Sequence, residues 1–466
     1  MTAKYLLRNA VLITALVTTA GPVAAAVLGE RGDDADSGDA ADTFAALGAL
    51  TVKGRLMRDS ELGHDAYRPE LAGEPMGDVG KLWLDLLEQA MDDHVDGGEL
   101  HDRDAPGEPA AMPVHAEAAY LYHMHHSAGR FEEHGLFDAL THQPSPLLSA
   151  LGQRLLDARY SDGVFHEPER SGDDIDPTAM AHGLDAFHAT AYSWVRWYKP
   201  GGSDDMGRLD EPTMEAWMGH DRDELVATAR AAAERLDAHW DADAGVYRFG
   251  EGDAAWASDD LGALLRGHKG LYEILHVFGD DDDRDEAARL FDRAATISRA
   301  LFRDDGPITH WGMPAEITFA DGEARAASAT IDVAAQWRLV HQLTGGFSLL
   351  REREGTSGLL AERDPELAET IGRGIDHLLT AALDHQLADG YVVAALDAED
   401  GSVRDDRTTT QAVTAFVRAV GNGYRAGSAF DRPDAWAEDD ALAERSERLY
   451  DLFLGHGRLL TEELVR

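Results

Sequence analysis

The chain is 466 residues long with 44% hydrophobic side chains, enough for two ordinary domains or one large repeat fold. Its charge is lopsided, with 87 acidic against 42 basic residues, net −45, and the only lysines are Lys4, Lys53, Lys81, Lys199 and Lys269. Such a surface suits an extreme halophile: at a Debye length of about 3 Å in molar salt it steers no partner, no basic stripe offers nucleic acid a footing, and the lack of cysteine excludes disulfides, thiolate nucleophiles and thiolate-held metals.

Lys4 and Arg8 precede an uncharged run from Asn9 to Gly29, in which Ala24-Ala25-Ala26 offers small residues for cleavage. Residues 1–29 therefore read as a signal peptide or as a retained N-terminal anchor, which places the rest outside the cytoplasm, secreted or held at the cell surface. Residues 30–41 form an acidic flexible tether, and residues 42–466 a single domain.

Along that domain two kinds of helical stretch alternate. Asp42–Met57 opens the series, and Lys81–Met91 follows with charged residues on one face, as a solvent-facing helix requires. Val114–Ser127 is apolar or small nearly all round, so it is buried on both sides. The alternation continues through Leu147–Tyr160 (solvent-type), Thr178–Tyr198 (buried), Asp223–Trp240 (solvent-type), Asp259–Phe278 (buried) and Arg284–Phe302 (solvent-type). It ends with Thr330–Leu343 (buried), Pro365–Leu383 (solvent-type), Thr408–Tyr424 (buried) and Asp439–Leu454 (solvent-type).

Each solvent-type stretch runs into a short, mostly acidic turn centred on glycine. These are Asp93-His94-Val95-Asp96-Gly97-Gly98, Tyr160-Ser161-Asp162-Gly163, Asp241-Ala242-Asp243-Ala244-Gly245, Asp304-Asp305-Gly306, Asp389-Gly390 and Leu454-Gly455-His456-Gly457. Glycine there suits a helix end that turns through a left-handed conformation, and the aromatic or β-branched residues behind it suit a short extended piece. With Asp42–Met57 as the twelfth helix, the simplest solution is six helical hairpins closed into a ring, six inner helices inside six outer ones. An open solenoid would need a polar cap repeat, which is missing.

This pattern resembles the (α/α)6 toroid of the six-hairpin glycosidases and their relatives, among them the N-acylglucosamine 2-epimerase-like proteins and the unsaturated glucuronyl hydrolases. The resemblance lies in architecture and turn chemistry over nearly the whole mature chain, with no motif specific to one family. It implies an all-α toroid whose chemistry sits where the inner helices begin. Terpenoid and lanthionine cyclases share the toroid, but the aspartate-rich motif of the first and the cysteine ligands of the second are missing.

The polar residues at those helix starts are then the candidates. Asp185, Asp260 and Asp332 read as carboxylates facing one funnel, with Trp256, Trp311 and Trp337 as sugar-stacking platforms; two carboxyls flanking a pyranose supply glycosidase chemistry. The same sequence allows bland readings: Ser258-Asp259-Asp260 as a helix cap, Asp185 and His182 as a buried pair, and Asp332 as a carboxylate inside an apolar helix that needs a partner or a wet cavity. An epimerase-like alternative uses His182 and His310 as opposing acid and base. His115 and Glu117 open the first buried helix and Thr408 to Gln411 the last.

No metal site is expected. Neighbours in His123-Met124-His125-His126 diverge by about 100° around a helix, as do His182 and His188 by about 120°. The acidic turns at Asp241 and Asp397 do not continue into a calcium-binding loop, and Asp280-Asp281-Asp282-Asp283 reads as a solvated loop and as N-terminal charge for the helix at Arg284. No phosphate loop, dinucleotide fingerprint or nucleophile elbow occurs, so no cofactor is expected either. The expected function is that of an exported glycoside hydrolase or polysaccharide lyase, with a sugar epimerase or a non-catalytic cell-surface binding toroid as alternatives.

Overall fold

A computed structural model describes residues 40–61, 76–96, 99–101, 109–128, 164–165, 175–201, 209–218, 220–249, 254–344, 363–425 and 440–460. The leader, all but the last two residues of the tether, and the stretch 147–160 lie outside the described residues. No described helix is long and apolar enough to cross a membrane.

The fold is an (α/α)6 toroid. Its inner ring consists of α1 (Ala40–Glu61), α3 (Met112–Ala128), α4 (Pro177–Trp197), α7 (Ser258–Phe278), α9 (Val333–Thr344) and α11 (Thr410–Arg425). Each packs on the next, and α11 returns to pack on α1, so the ring is closed. Outside it lie α2 (Met76–His94), α6 (Arg222–His239), α8 (Asp281–Phe302), α10 (Pro365–His385) and α12 (Asp440–Leu459), with a short extra helix, α5 (Glu211–Met218), ahead of α6. Lys53 extends the closure outward by donating from Nζ to the Gly457 carbonyl of α12 at 3.1 Å.

Acidic residues set the helix starts. Asp176, Asp221 and Asp364 each accept a backbone N–H of the first turn of α4, α6 and α10, and Pro177 and Pro365 occupy the first helical positions, where no N–H is needed. Asp280 caps α8 with a reciprocal bond to Asp283, so the four-aspartate run is a cap and a first helical turn rather than a loop.

Three of the six glycine-centred turns serve a different end from the one expected: they lie in β-hairpins rather than at helix caps. Asp304-Asp305-Gly306 is a plain turn behind α8, Leu454-Gly455-His456-Gly457 lies within α12, and Tyr160-Ser161-Asp162-Gly163 lies outside the described residues. Behind α2, α6 and α10 the chain forms two-residue ladders: β1 (Val95–Asp96) with β2 (Glu99–Leu100), β3 (Trp240–Asp241) with β4 (Val246–Tyr247), and β9 (Leu387–Ala388) with β10 (Tyr391–Val392). At Asp389-Gly390 both residues have φ near the left-handed region, 53° and 87°, as a tight two-residue hairpin demands. The Asp241 and Asp397 carboxylates accept amides of their own turns and pair with Arg248 and Arg404.

Longer excursions lie between the later hairpins. β5 (Ala254–Ala257), β6 (Glu316–Ala320) and β7 (Glu323–Ala326) form one antiparallel sheet. β8 (Thr330–Asp332), β11 (Ala395–Asp397) and β12 (Val403–Asp405) form another. Because β5 runs into α7 and β8 into α9, both sheets flank the end of the toroid where inner helices begin. The expected helix Thr330–Leu343 therefore starts later, at Val333, after a strand.

α4 and α7 approach closely at two α7 glycines. A Cβ on Gly267 would lie 2.4 Å from Leu184 Cβ, and one on Gly270 would lie 2.6 Å from His188 Cα. This approach brings the midpoints of these two neighbouring helices, and with them Asp185 and Arg266, within reach of each other.

Buried histidines tie turns to helices. His268 donates from Nδ1 to the Leu264 carbonyl (2.8 Å) and meets the Tyr247 hydroxyl through Nε2 (2.7 Å). His456 donates from Nδ1 to the Leu452 carbonyl (2.7 Å) and accepts the Val392 amide at Nε2 (3.0 Å). Burial pushes both from the ordinary 6.5 down to about 4. Both rings are neutral in the fold but take protons in the unfolded chain, so their contribution is complete above pH 6.5 and is lost as the pH falls toward about 4. Urea titrations over that window should show each histidine removing about 1.4 kcal/mol of stability per pH unit, and His456→Gln should flatten the slope by one such contribution.

Candidate functional site

Helical periodicity places one polar side chain from each of five inner helices at the same level of the lumen: Glu117 of α3, Asp185 of α4, Arg266 of α7, His341 of α9 and Arg418 of α11. They form one continuous chain. Asp185 accepts two bonds from Arg266, from Nε to Oδ1 and from Nη2 to Oδ2 at 2.5 Å. Arg266 Nη1 then donates to His341 Nε2 at 3.3 Å, and Arg418 Nη2 donates to the same nitrogen at 3.2 Å. Arg418 ends the chain by donating from Nη1 to Glu117 Oε2. Tyr120 lies beneath, its ring centre 5.7 Å from the Arg266 guanidinium carbon and 4.8 Å from that of Arg418.

Asp185, Arg266 and Arg418 are at most 5% exposed, and Glu117 is the more open end at 21%. Burial, and then the charges of Arg418 and Arg266, hold His341 well below the ordinary histidine range. Its imidazole is an uncharged acceptor between two guanidinium groups.

Nearer the mouth, Asp260 in the first turn of α7 accepts from two α4 side chains, Thr178 Oγ1 at 2.7 Å and His182 Nε2 at 3.1 Å. Burial alone would lower the His182 pKa. The bond to Asp260 and the negative charges of Asp260, Asp259 and Asp185 outweigh that, and the net shift is upward. Nε2 carries the ring's hydrogen bond among the described residues, so Nδ1 is left for another group. Around the rim, Asp259 pairs with Arg338 (3.2 Å), Arg338 donates to Gln411 (3.0 Å), and Gln411 donates to Asp42 (2.7 Å). That network links α7, α9, α11 and α1 at the seam where the ring closes.

The sequence candidates divide by position. Asp185, Asp260 and His182 do meet in one buried region, but with different partners: His182 pairs with Asp260, and Asp185 with Arg266. Ser258-Asp259-Asp260 forms no side-chain cap, since Ser258 is the first residue of α7, but Asp259 and Asp260 are the acids of its first turn. Asp332 is not inside a helix. It ends β8, and its carboxylate accepts the Ala335 amide at 2.9 Å, which satisfies it at the start of α9.

Trp337 is fully buried against Phe416, and Trp256 is 3% exposed beside Phe249, so neither presents a ring face to a ligand. Trp311 is half-buried, held by its indole N–H to the Glu399 carbonyl and packed beside His385 and the exposed His310. These three belong to the outer-ring side, with His377 next to His310. No group of three described histidine or acidic side chains converges as metal ligands would.

Arg266, His341 and Arg418 escaped the sequence reading. The signal was present: a charged residue in the middle of a helix that is apolar all round must find a partner of opposite sign.

No protein-family model and no curated protein matches the chain. Solved structures similar to it include D-mannose isomerase, at 11% identity and a TM-score of 0.47, covering 81% of this chain and 87% of that one. Cellobiose 2-epimerase from Bacillus thermoamylovorans B4167 is similar at 13% identity and a TM-score of 0.43, with 77% and 81% covered. A family 15 glucoamylase from Hypocrea jecorina shares 11% identity with a TM-score of 0.43, with 84% and 67% covered.

Removing one member of the buried Asp185–Arg266 pair strands the other. Arg266→Met should lower unfolding stability by about 3–5 kcal/mol, whereas the Asp185→Leu/Arg266→Met double variant should recover most of the loss. Denaturant unfolding of the single and double variants in high salt measures the difference.

Proposed function

We propose that the chain is a carbohydrate-active enzyme that moves a proton on the open-chain form of a sugar, at the carbon next to the carbonyl, with His182 as the proton carrier. The observation that carries this reading is the buried His182–Asp260 pair. A carboxylate that fixes one ring nitrogen and leaves the other free is the arrangement of an oriented general base. Thr178 holds the Asp260 carboxylate from the other side.

The reaction needs little else. His182 Nδ1 takes the proton from the carbon adjacent to the carbonyl, and negative charge develops on the carbonyl oxygen. The paired guanidinium groups of Arg266 and Arg418 supply the electropositive floor that favours such an oxyanion. Returning the proton to the neighbouring carbon gives the ketose, and returning it to the same carbon from the opposite face gives the epimer.

Hydrolysis fits less well. A glycosidase needs one carboxyl kept protonated and a second available to the sugar or to water. In the described lumen Asp185, Asp259, Asp260 and Glu117 each accept from arginine, histidine or threonine, and Asp332 accepts a backbone amide. We also place the enzyme outside the cytoplasm of a salt-adapted organism, a reading supported by the leader-like residues 1–29 and by the acidic, lysine-poor composition.

The test is solvent exchange. In deuterated buffer with multimolar salt, the purified protein should incorporate deuterium next to the carbonyl of at least one aldose or ketose in a panel of free sugars. His182→Gln should reduce that rate by about 100-fold or more. Release of reducing ends from glycans without any exchange would replace this reading with hydrolysis. Sugar binding with neither reaction would make the toroid a binding module.

A further inference from the structure

Two acids stand side by side at the start of α7, and they turn to different neighbours. Asp259 pairs with Arg338 of α9 at 3.2 Å, while Asp260 faces α4. There it meets Thr178 and His182, four residues apart, which a helix puts on one face with one turn between them. Each carboxylate oxygen takes one donor: Oδ2 accepts from Thr178 Oγ1 at 2.7 Å, and Oδ1 from His182 Nε2 at 3.1 Å. A carboxylate held at both oxygens cannot swing about its Cβ–Cγ bond, so the direction from Oδ1 to the imidazole is fixed with it.

Thr178 is itself anchored. Its backbone N–H donates to the Asp176 carboxylate at 3.0 Å in the first turn of α4, and its branched Cβ leaves the hydroxyl few rotamers. Asp260 and His182 are each 5% exposed, and Thr178, one turn nearer the mouth, is half-buried.

Resting on the proton-transfer reading, we propose that Thr178 is a positioning residue acting through Asp260: its hydroxyl pins the carboxylate so that one oxygen alone orients the His182 ring, and it draws off part of the charge that would otherwise hold a proton on that ring.

The second effect has a sign. A hydrogen bond given to Oδ2 spreads the carboxylate's charge toward Thr178. Without it, Asp260 presents its full charge to His182, and the imidazolium is harder to deprotonate. His182 takes a proton only when neutral, so the threonine brings the base into play at lower pH than the bare pair would allow.

The other charges around the ring do not answer to Thr178. On α4 and the helices packed against it these are Asp176 and Asp185 of α4, Asp259 and Arg266 of α7, and Glu117 of α3, with His188 of α4 and His115 and Tyr120 of α3 as further titratable groups. Arg266 closes on Asp185, Arg338 on Asp259 and Arg418 on Glu117. Burial works against the imidazolium, and the bond to Asp260 leads the effects that outweigh it, ahead of the charges of Asp259 and Asp185. Asp260 is therefore where a single hydroxyl can move the balance.

Thr178→Val keeps the shape and removes the donor, whereas Thr178→Ser keeps the donor. Two readouts apply to the intact protein in high salt. One is kcat/KM against pH for a sugar that passes the exchange screen. The other is the His182 midpoint from imidazole nitrogen NMR, which needs no substrate. The valine variant should move the acid limb of the rate profile and the midpoint together toward higher pH, by about half a unit or more, and serine should leave both within about 0.2 unit of the unaltered protein. A midpoint that stays or falls with valine, an acid limb that does not follow it, or a serine variant shifted as far as valine would overturn the proposal. Should valine prevent folding, Thr178→Ala supplies the same contrast with serine. If the unaltered protein exchanges no sugar, the proton-transfer reading fails by itself, and the NMR midpoint still decides the role of Thr178, so the two failures are separable.

Discussion

Five of the six inner helices meet through one chain of charge, Asp185–Arg266–His341–Arg418–Glu117, and the rest of the structure is arranged so that this chain can exist. Two guanidinium groups and two carboxylates removed from water would each cost several kcal/mol if left alone. Pairing them across the lumen requires the helices to stand around a common axis at matching heights. Closure of the ring through α11 and α1 fixes that circle, and the glycine contacts between α4 and α7 set the closest approach within it. The toroid and its polar centre are therefore one constraint seen at two scales.

Much of this was legible in the residues. The alternation of one-faced and all-round apolar stretches marked outer and inner helices, because a helix buried on both sides has no polar face to show. Asp42–Met57 was needed to make the count even, and it is the helix that closes the ring. What could not be read was partnership. Asp185 stood out as an acid in an apolar helix, but nothing local says that its partner is Arg266, eighty-one residues on. The tryptophans misled for the same reason. Trp256 and Trp337 have the composition of stacking platforms, and only packing shows them buried, beside Phe249 and Phe416. Asp332 was misplaced by a boundary: β8 occupies the first residues of the expected helix, because Thr330–Asp332 pairs with β11.

The histidines show how one side chain is made to serve opposite ends. His268 and His456 are buried among backbone carbonyls, amides and hydroxyls and remain neutral as joints of the fold. His341 is kept neutral by burial and then by the arginines beside it, and His182 is driven the other way, against its burial, by three aspartates. Environments that push titratable groups apart are a mark of sites where protons move. Here the separation falls across the lumen, between its mouth and its floor.

The central claim is that His182 carries the proton while His341 stays an uncharged acceptor. Imidazole nitrogen resonances of the two residues, assigned with His182→Gln and His341→Gln and followed by NMR across a pH titration in high salt, test it most directly. The account predicts that His182 titrates with a midpoint above 6.5 while His341 remains neutral through the whole range in which the protein is folded. A protonated His341 near neutral pH, or a His182 midpoint below 6.5, would contradict it.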